Sequence, residues 1–401
     1  MAAEVLAGGG AVVTLHDQMP TLGRKLLMAG RGGLNLTHSE PLGDVIARYG
    51  PASERMKPII EAFPPSALRA WVDALGQATF VGSSGRVFPK ALKASPLLRA
   101  WLARLDERGV ELRTRSTWRG WDAEGALVFA GATGEVMTAR PDAVVLALGG
   151  ASWPKLGSDG AWAHILGEAK VELTAFAPAN CGFDVAWSPV FAARFAGQPL
   201  KAVLISHAGR TVRGEAMITR HGVEGGAIYA LSQHLRATIE ATGWAGLEID
   251  LRPDLTTAQI AAKLRRPAKG QSRTNQLRKA LNISPLEANL LREAHGVDLP
   301  GDGFALANRI KHLAIRLVSP RPITRAISTA GGVAFTAVDD ELMLKSVPNI
   351  YIAGEMLDWE APTGGYLLQG AIASGAWAAR AILTAFASKR EAARHPPERS
   401  S

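Results

Sequence analysis

The stretch PNIYIAGEMLDWEAPTGGYLLQGAIASGAWAARAIL, residues 348–383, carries the residue types best suited to holding a ligand. A short apolar run ends in Gly354-Glu355, a loop follows, and Thr363-Gly364-Gly365 opens a helical pattern. Glycines at a helix start let backbone N–H groups approach a ligand closely, and the dipole there favours an electron-rich group. A carboxylate at a strand end accepts hydrogen bonds from ribose or ribityl hydroxyls. Along the helix, Gly370, Ala371, Ser374, Gly375 and Ala378 form a small-residue face that suits close packing on a sheet or on a flat cofactor. Helix–sheet packing with no ligand accounts for that face equally well.

A second carboxylate stands near the start of the chain. Ala2 to Ala7 suit a helix packed on a sheet, Gly8 to Gly10 stop it, and Ala11 to Leu15 form a β-branched run closed by His16 and Asp17. In a dinucleotide-binding βαβ unit, an acid at the end of the second strand accepts from a ribose, while a first strand and a G-x-G-x-x-G turn precede the helix. The second half of such a unit is present here and the first half is absent. An ordinary helix, turn and strand ending in a solvated Asp gives the same pattern.

These residues need a scaffold, and the chain is long enough to supply one. With 401 residues, 47% of them hydrophobic, and 42 glycines, it is sized for two or three globular domains. The single cysteine, Cys181, excludes an intrachain disulfide, a C-x-x-C redox pair and a zinc knuckle, and no metal site is expected. Neither a basic leader nor an apolar run approaching bilayer length is seen, so a cytoplasmic protein with no membrane partner is expected. The net charge of +9 favours anionic partners. The densest basic segment, Lys263 to Lys279, includes Arg265, Arg266, Lys269, Arg273 and Arg278 but lacks aromatics to stack bases. It reads as a solvated helical face, and a small-molecule substrate is expected in preference to nucleic acid. Oligomeric state is left open.

Ala143 to Leu148 and Ile350 to Ala353 are β-branched runs, each followed by glycine and a helical pattern, as in a doubly covered parallel sheet. The middle of the chain reads as an insertion. The expected division is a first part of the sheet domain at 1–174, an inserted substrate domain at 175–318, a second part at 319–387 and a polar tail at 388–401. Within the insertion, 175–230 reads as mainly β and 231–318 as mainly helical, apart from a short LEIDL run.

Three segments together resemble the BaiN/YhiN-like family of bacterial FAD-binding oxidoreductases. They are PNIYIAGEMLDWEAPTGGYLLQGAIASG, LGRKLLMAGRGGLNLTH and LALGGASWPKLGSDG, and the resemblance covers nearly the whole chain. It implies an α/β fold: a discontinuous Rossmann-like FAD domain of the glutathione-reductase type with an inserted β-barrel-like and helical substrate domain. It also implies FAD as cofactor and NAD(P)H as a candidate electron donor. Carried onto this sequence, Asp17 holds the adenosine ribose, and Gly23, Arg24 and Lys25 begin a loop around the cofactor that Gly30, Gly32 and Asn35 continue. Ala147, Gly149 and Gly150 lie beside the dinucleotide. Glu355, after Gly354, takes the place of a ribityl-binding Asp, and the amides of Gly364 and Gly365 face the flavin pyrimidine edge.

Two departures from the family pattern bear on chemistry. Where much of the family reads G-G-G-R-C-N, this chain reads Gly30-Arg31-Gly32-Gly33-Leu34-Asn35, which removes the thiol. Where T-H-x-G-x-S-G-P is common, the chain has Thr219-Arg220-His221-Gly222-Val223-Glu224-Gly225-Gly226, leaving His221 as a base or a surface residue. No catalytic residue is assigned. The family also places a strand and a G-x-G-x-x-G loop ahead of the first helix, so the sequence is expected to start late, at an internal methionine, or to be truncated. The resulting expectation is an FAD-dependent oxidoreductase acting on a small or polycyclic organic substrate. The alternatives are a non-catalytic flavoprotein remnant and an FAD-dependent RNA-modification factor.

Overall fold

The computed structural model describes residues 1–264, 272–296 and 298–394, with side chains to residue 390. The chain divides into two compact units, Met1–Ala177 with Ser328–Ser401, and Pro178–Ile327.

The first unit contains two short parallel ladders. Thr14–His16 pairs with Glu111–Arg113, and Val144–Leu146 pairs with Ile350–Ile352 in the register Val144↔Ile350. Both runs singled out for their β-branched residues therefore form strands, trimmed at their ends, and Gly149 and Gly354 follow with φ of 76° and 72°, where a β-carbon is strained. Thr37–His38, Arg86–Pro89 and Thr79–Val81 form a small antiparallel sheet, and Thr117–Trp121, Leu127–Ala130 and Val136–Ala139 form a meander.

The helix Tyr366–Arg394 runs through the core of this unit. Ala373, Ser374, Ala376 and Ala378 are fully buried. A β-carbon on Gly370 would sit 3.0 Å from the rings of Tyr49 and Trp359, so the small-residue face exists because large side chains already fill the space. Two expectations change here. Residues 388–394 are helical rather than tail, and 395–401 lie outside the described residues. The stretch Tyr366–Arg390 is also long and apolar enough by length and composition to cross a membrane, although its small-residue face is occupied by protein core.

The second unit is built on a seven-stranded antiparallel sheet. Its order is Leu313–Leu317, Ala245–Asp250, Pro199–His207, Arg210–Ile218, Gly222–Glu224, Phe183–Asp184 and Ser319–Pro320. Ala245, Leu247 and Ile249 are fully buried and alternate with exposed Gly246 and Glu248, the period-two pattern of a half-buried strand. The helix Gly226–Thr242 and the four helices between Thr257 and Lys311 supply the apolar cover. Ser284 and Glu287 form a reciprocal capping box on the helix Pro285–His295.

A barrel-like insertion was the expectation; among the described residues no barrel is found, and the ladders give a seven-stranded sheet whose terminal strands are not hydrogen-bonded to each other. Those strands are successive stretches of one extended segment interrupted at Val318, and the second is only two residues long and ends in Pro320, which has no N–H to donate. Because Ser319 and Pro320 pair with Asp184 and Phe183, the unit extends to Ile327 rather than ending at 318. The part after 231 also contributes two strands to the sheet, so it is less purely helical than its composition indicates.

Candidate cofactor site

Glu355 is the meeting point of three distant segments. The strand Ile350–Ile352 delivers it into a single turn, Gly354–Met356, with its side chain 17% exposed. Lys25 Nζ, from the first turn of the helix Arg24–Ala29, donates to Glu355 Oε2 at 2.5 Å. Gly150 N donates to the same oxygen at 3.3 Å, and Thr329 N donates to Oε1 at 2.9 Å. Lys25 also reaches Ser152 Oγ at 2.8 Å and Ser158 Oγ at 3.3 Å. Lys25, Gly149, Gly150, Gly354 and Glu355, each singled out in the sequence, thus lie together. Thr329, which sequence reasoning missed, organises the loop: its Oγ1 accepts from Ala151 N and Ser152 N, and a β-carbon on Gly150 would lie 2.3 Å from that oxygen. Each carboxylate oxygen takes about two donors. Oε2 already has two and Oε1 one, so Oε1 retains an acceptor position for a hydroxyl.

The loop at 30–35 leads from the helix Arg24–Ala29 into the strand Thr37–His38. Gly30 is packed on Ala94, whose Cβ would stand 2.7 Å from an added β-carbon, whereas an added β-carbon on exposed Gly32 meets nothing within 4 Å. Asn35 Oδ1 is buried and has no hydrogen-bond partner. Among the described residues none donates to it, and because an orphaned buried acceptor costs about 1–3 kcal/mol, a ligand N–H there would be stabilising. The pyrimidine edge of a flavin carries such an N–H.

The helix start lies beside this loop. A β-carbon on Gly365 would fall 2.5 Å from Thr37 Cα and N, and one on Gly364 2.5 Å from the Tyr366 ring. The two glycines have φ of 96° and 148°. Close packing on the chain at Thr37 is thus a sufficient reason for glycine at 365, and the Tyr366 ring for glycine at 364. Thr37 Oγ1 donates to Gln369 Oε1 at 2.8 Å, and Tyr49 OH donates to the Tyr366 carbonyl at 2.8 Å, which pins the first turn. The amides at the start of such a helix have no intrahelical acceptor.

Asp17 follows the strand Thr14–His16, and its Oδ1 accepts from Met19 N at 2.8 Å. Burial pushes its carboxyl above the ordinary range; the Met19 N–H and the Arg24 charge oppose that shift without cancelling it. A half-buried carboxylate of this kind gains from a hydroxyl donor. Ala147 is exposed directly after its strand.

A cluster that the sequence did not reveal adjoins the helix start. Tyr366 OH donates to Glu40 Oε1 at 2.7 Å, and Arg48 grips Glu40 through Nε at 3.1 Å and Nη2 at 2.7 Å. Burial alone would raise the Glu40 carboxyl, but the bonds from Arg48 and Tyr366 outweigh it and hold the group below its ordinary range. His221, in the second unit, is exposed, and its backbone N–H donates to Thr219 Oγ1 at 3.3 Å. Arg265, Arg266 and Lys269 lie outside the described residues. Among the described residues no group of three His, Cys, Asp or Glu side chains is placed to hold a metal.

This arrangement can be set beside known proteins. Residues 1–381 match the HI0933-like protein Rossmann domain. A 3-dehydro-bile acid delta(4,6)-reductase of Clostridium scindens is 26% identical over 389 residues, covering 93% of each chain. The solved 3-ketosteroid delta1-dehydrogenase from Sterolibacterium denitrificans aligns with TM-score 0.51 and 13% identity over 96% of this chain and 97% of that one. A flavocytochrome c3 fumarate reductase aligns with TM-score 0.50 and 14% identity over 96% of this chain and 76% of that one. These likenesses show a shared α/β Rossmann-like fold. With the match spanning nearly the whole chain and the three motifs converging in space, the protein belongs to the HI0933-like, or BaiN/YhiN, family of Rossmann-fold FAD-binding proteins.

Proposed function

We propose that this protein is an FAD-dependent oxidoreductase that takes electrons from a reduced nicotinamide and acts on a small or polycyclic organic substrate. The observation that carries this reading is the convergence of Lys25, Gly150 and Thr329 on the Glu355 carboxylate, from segments far apart in sequence. When bound, FAD supplies hydride transfer. The chain supplies binding and charge placement. Glu355 Oε1 accepts a hydroxyl of the ribityl or a neighbouring group, Lys25 sets a cation beside it, and Asp17 accepts from the adenosine ribose. Asn35 Oδ1, which has no donor among the described residues, would accept the flavin N–H. The amides at the start of the helix Tyr366–Arg394 favour negative charge at the flavin edge. That the Clostridium scindens relative is a 3-dehydro-bile acid reductase supports a polycyclic substrate.

The test is anaerobic addition of NADH or NADPH to the protein loaded with FAD. Loss of the oxidised flavin absorbance within the enzyme's turnover time is the predicted result. A bound flavin that neither nicotinamide reduces contradicts the electron donor named here.

A further inference from the structure

The small sheet beside the cofactor loop buries part of one face, at Val87 and Thr37, although Val81, paired with Val87, is exposed at the sheet edge, and its other face is partly open. Val87 and Thr37, which are paired with each other, are fully buried. The opposite face follows from the register. His38 pairs with Arg86 and Phe80 pairs with Phe88, and Arg86 and Phe88 are two residues apart on one strand, so all four side chains share a face. Phe80 and Phe88 stack with centroids 5.8 Å apart and planes 30° from parallel. Phe80 is 38% exposed and Leu92, next to Phe88, is 46% exposed. At the other end His38 stacks on Tyr366 at 5.5 Å.

Two features say what kind of molecule suits this face. The strip borders the cofactor loop directly, since a β-carbon on Gly33 would lie 3.7 Å from the Phe88 ring and 3.9 Å from Leu92. Midway along it stands Arg86, whose guanidinium has no ion pair or side-chain hydrogen bond among the described residues, unlike Arg48, which is committed to Glu40. A partly exposed aromatic pair offers an edge and an outer face on which another ring gains more than its buried area. An uncommitted guanidinium beside such a pair selects a carboxylate or sulfonate.

We propose that the surface formed by Phe80, Phe88, Leu92 and Arg86, bounded at His38, which packs on the buried Tyr366 ring, is the substrate-docking surface, and that its occupant is an apolar ring system bearing one anionic group. The inference rests on the flavin reading for its meaning as a substrate site, but the surface itself is testable without flavin.

Two dyes with the same ring system separate the contributions: 1-anilinonaphthalene-8-sulfonate, which is anionic, and N-phenyl-1-naphthylamine, which is neutral. Binding of each is followed by fluorescence, with the folded state of every variant checked by thermal unfolding. Arg86→Gln should weaken the sulfonate about tenfold, as expected for loss of a charge-assisted bond, and leave the neutral dye within about twofold. Arg86→Lys should recover part of the loss. Phe80→Ser should weaken both dyes by about threefold or more. Unchanged sulfonate binding in both Arg86→Gln and Phe80→Ser overturns the proposal, as does a dimer in sedimentation that Phe80→Ser dissociates without altering dye binding. FAD retention is measured on the same samples. Normal retention with indifferent dye binding removes the docking surface and leaves the flavin reading standing. Dye responses as predicted, in a protein that holds no FAD, support the surface and remove the flavin reading.

Discussion

Lys25 Nζ and Glu355 Oε2 lie 2.5 Å apart although 330 residues separate them in sequence. The pair ties the helix after the first strand to the turn after the last strand of the same unit, and Gly150 joins it from the loop that follows the strand Val144–Leu146. With side chains 30% and 17% exposed, neither partner is fully desolvated, so the attraction is screened but the geometry is fixed.

Removing one partner should therefore cost more than removing both. Lys25→Met leaves the Glu355 carboxylate with backbone donors only and is predicted to lower unfolding free energy by about 1–3 kcal/mol, whereas Lys25→Met with Glu355→Gln should recover part of that loss. Urea unfolding of the two single variants and the double variant gives the coupling. Strictly additive losses would show that the pair is incidental.

Gly365 and Gly32 should behave oppositely. Alanine at 365 would place a methyl 2.5 Å from the Thr37 backbone at a φ of 96°, and is predicted to destabilise the fold by about 2–4 kcal/mol. Alanine at 32 meets nothing and should leave stability within about 0.5 kcal/mol. Because Gly32→Ala spares the fold, its effect on FAD retention reports on ligand approach alone. Equal unfolding midpoints for the two variants contradict the packing described at the helix start.

The Asp17 carboxyl is raised in the folded protein by burial, so the folded state binds its proton more readily than the unfolded state does. The sign follows: ionised Asp17 disfavours the fold at neutral pH, and the penalty disappears as pH falls through the folded value and below about 4, the unfolded one. Asp17→Asn should unfold at a higher temperature than wild type at pH 7, with the difference shrinking on acidification, while holding FAD more weakly. Thermal scans across that pH range check the first part and flavin content the second. A wild type more stable than Asp17→Asn at pH 7 contradicts the assignment.

Much of the site was legible because its signals are local. β-branched runs at 144–146 and 350–352, each followed by a glycine with positive φ, identify strand ends without knowledge of the rest of the fold. The carboxylate after Gly354 was found in the same way. What stayed hidden depends on partners distant in sequence. Glu4 looks like a surface acid, yet it is buried and accepts from Trp71 Nε1 at 3.0 Å and Arg104 Nη1 at 3.2 Å. Glu40 and Tyr366 are 326 residues apart, and nothing around either announces the other. That the Thr37 backbone fills the space of a side chain at Gly365 was not legible either, since a glycine's sequence context does not say what lies beside it. In the second unit, composition showed strands and helices but could not show that one extended segment serves both ends of the sheet.

The most direct test of the account is equilibrium binding of FAD to the purified protein beside Glu355→Ala. The account predicts one FAD per chain, a perturbed flavin spectrum, and affinity weakened in Glu355→Ala by about 1–3 kcal/mol, the usual loss for a charged hydrogen bond. Equal FAD affinity in the two proteins, or no binding by a folded wild type, would contradict it.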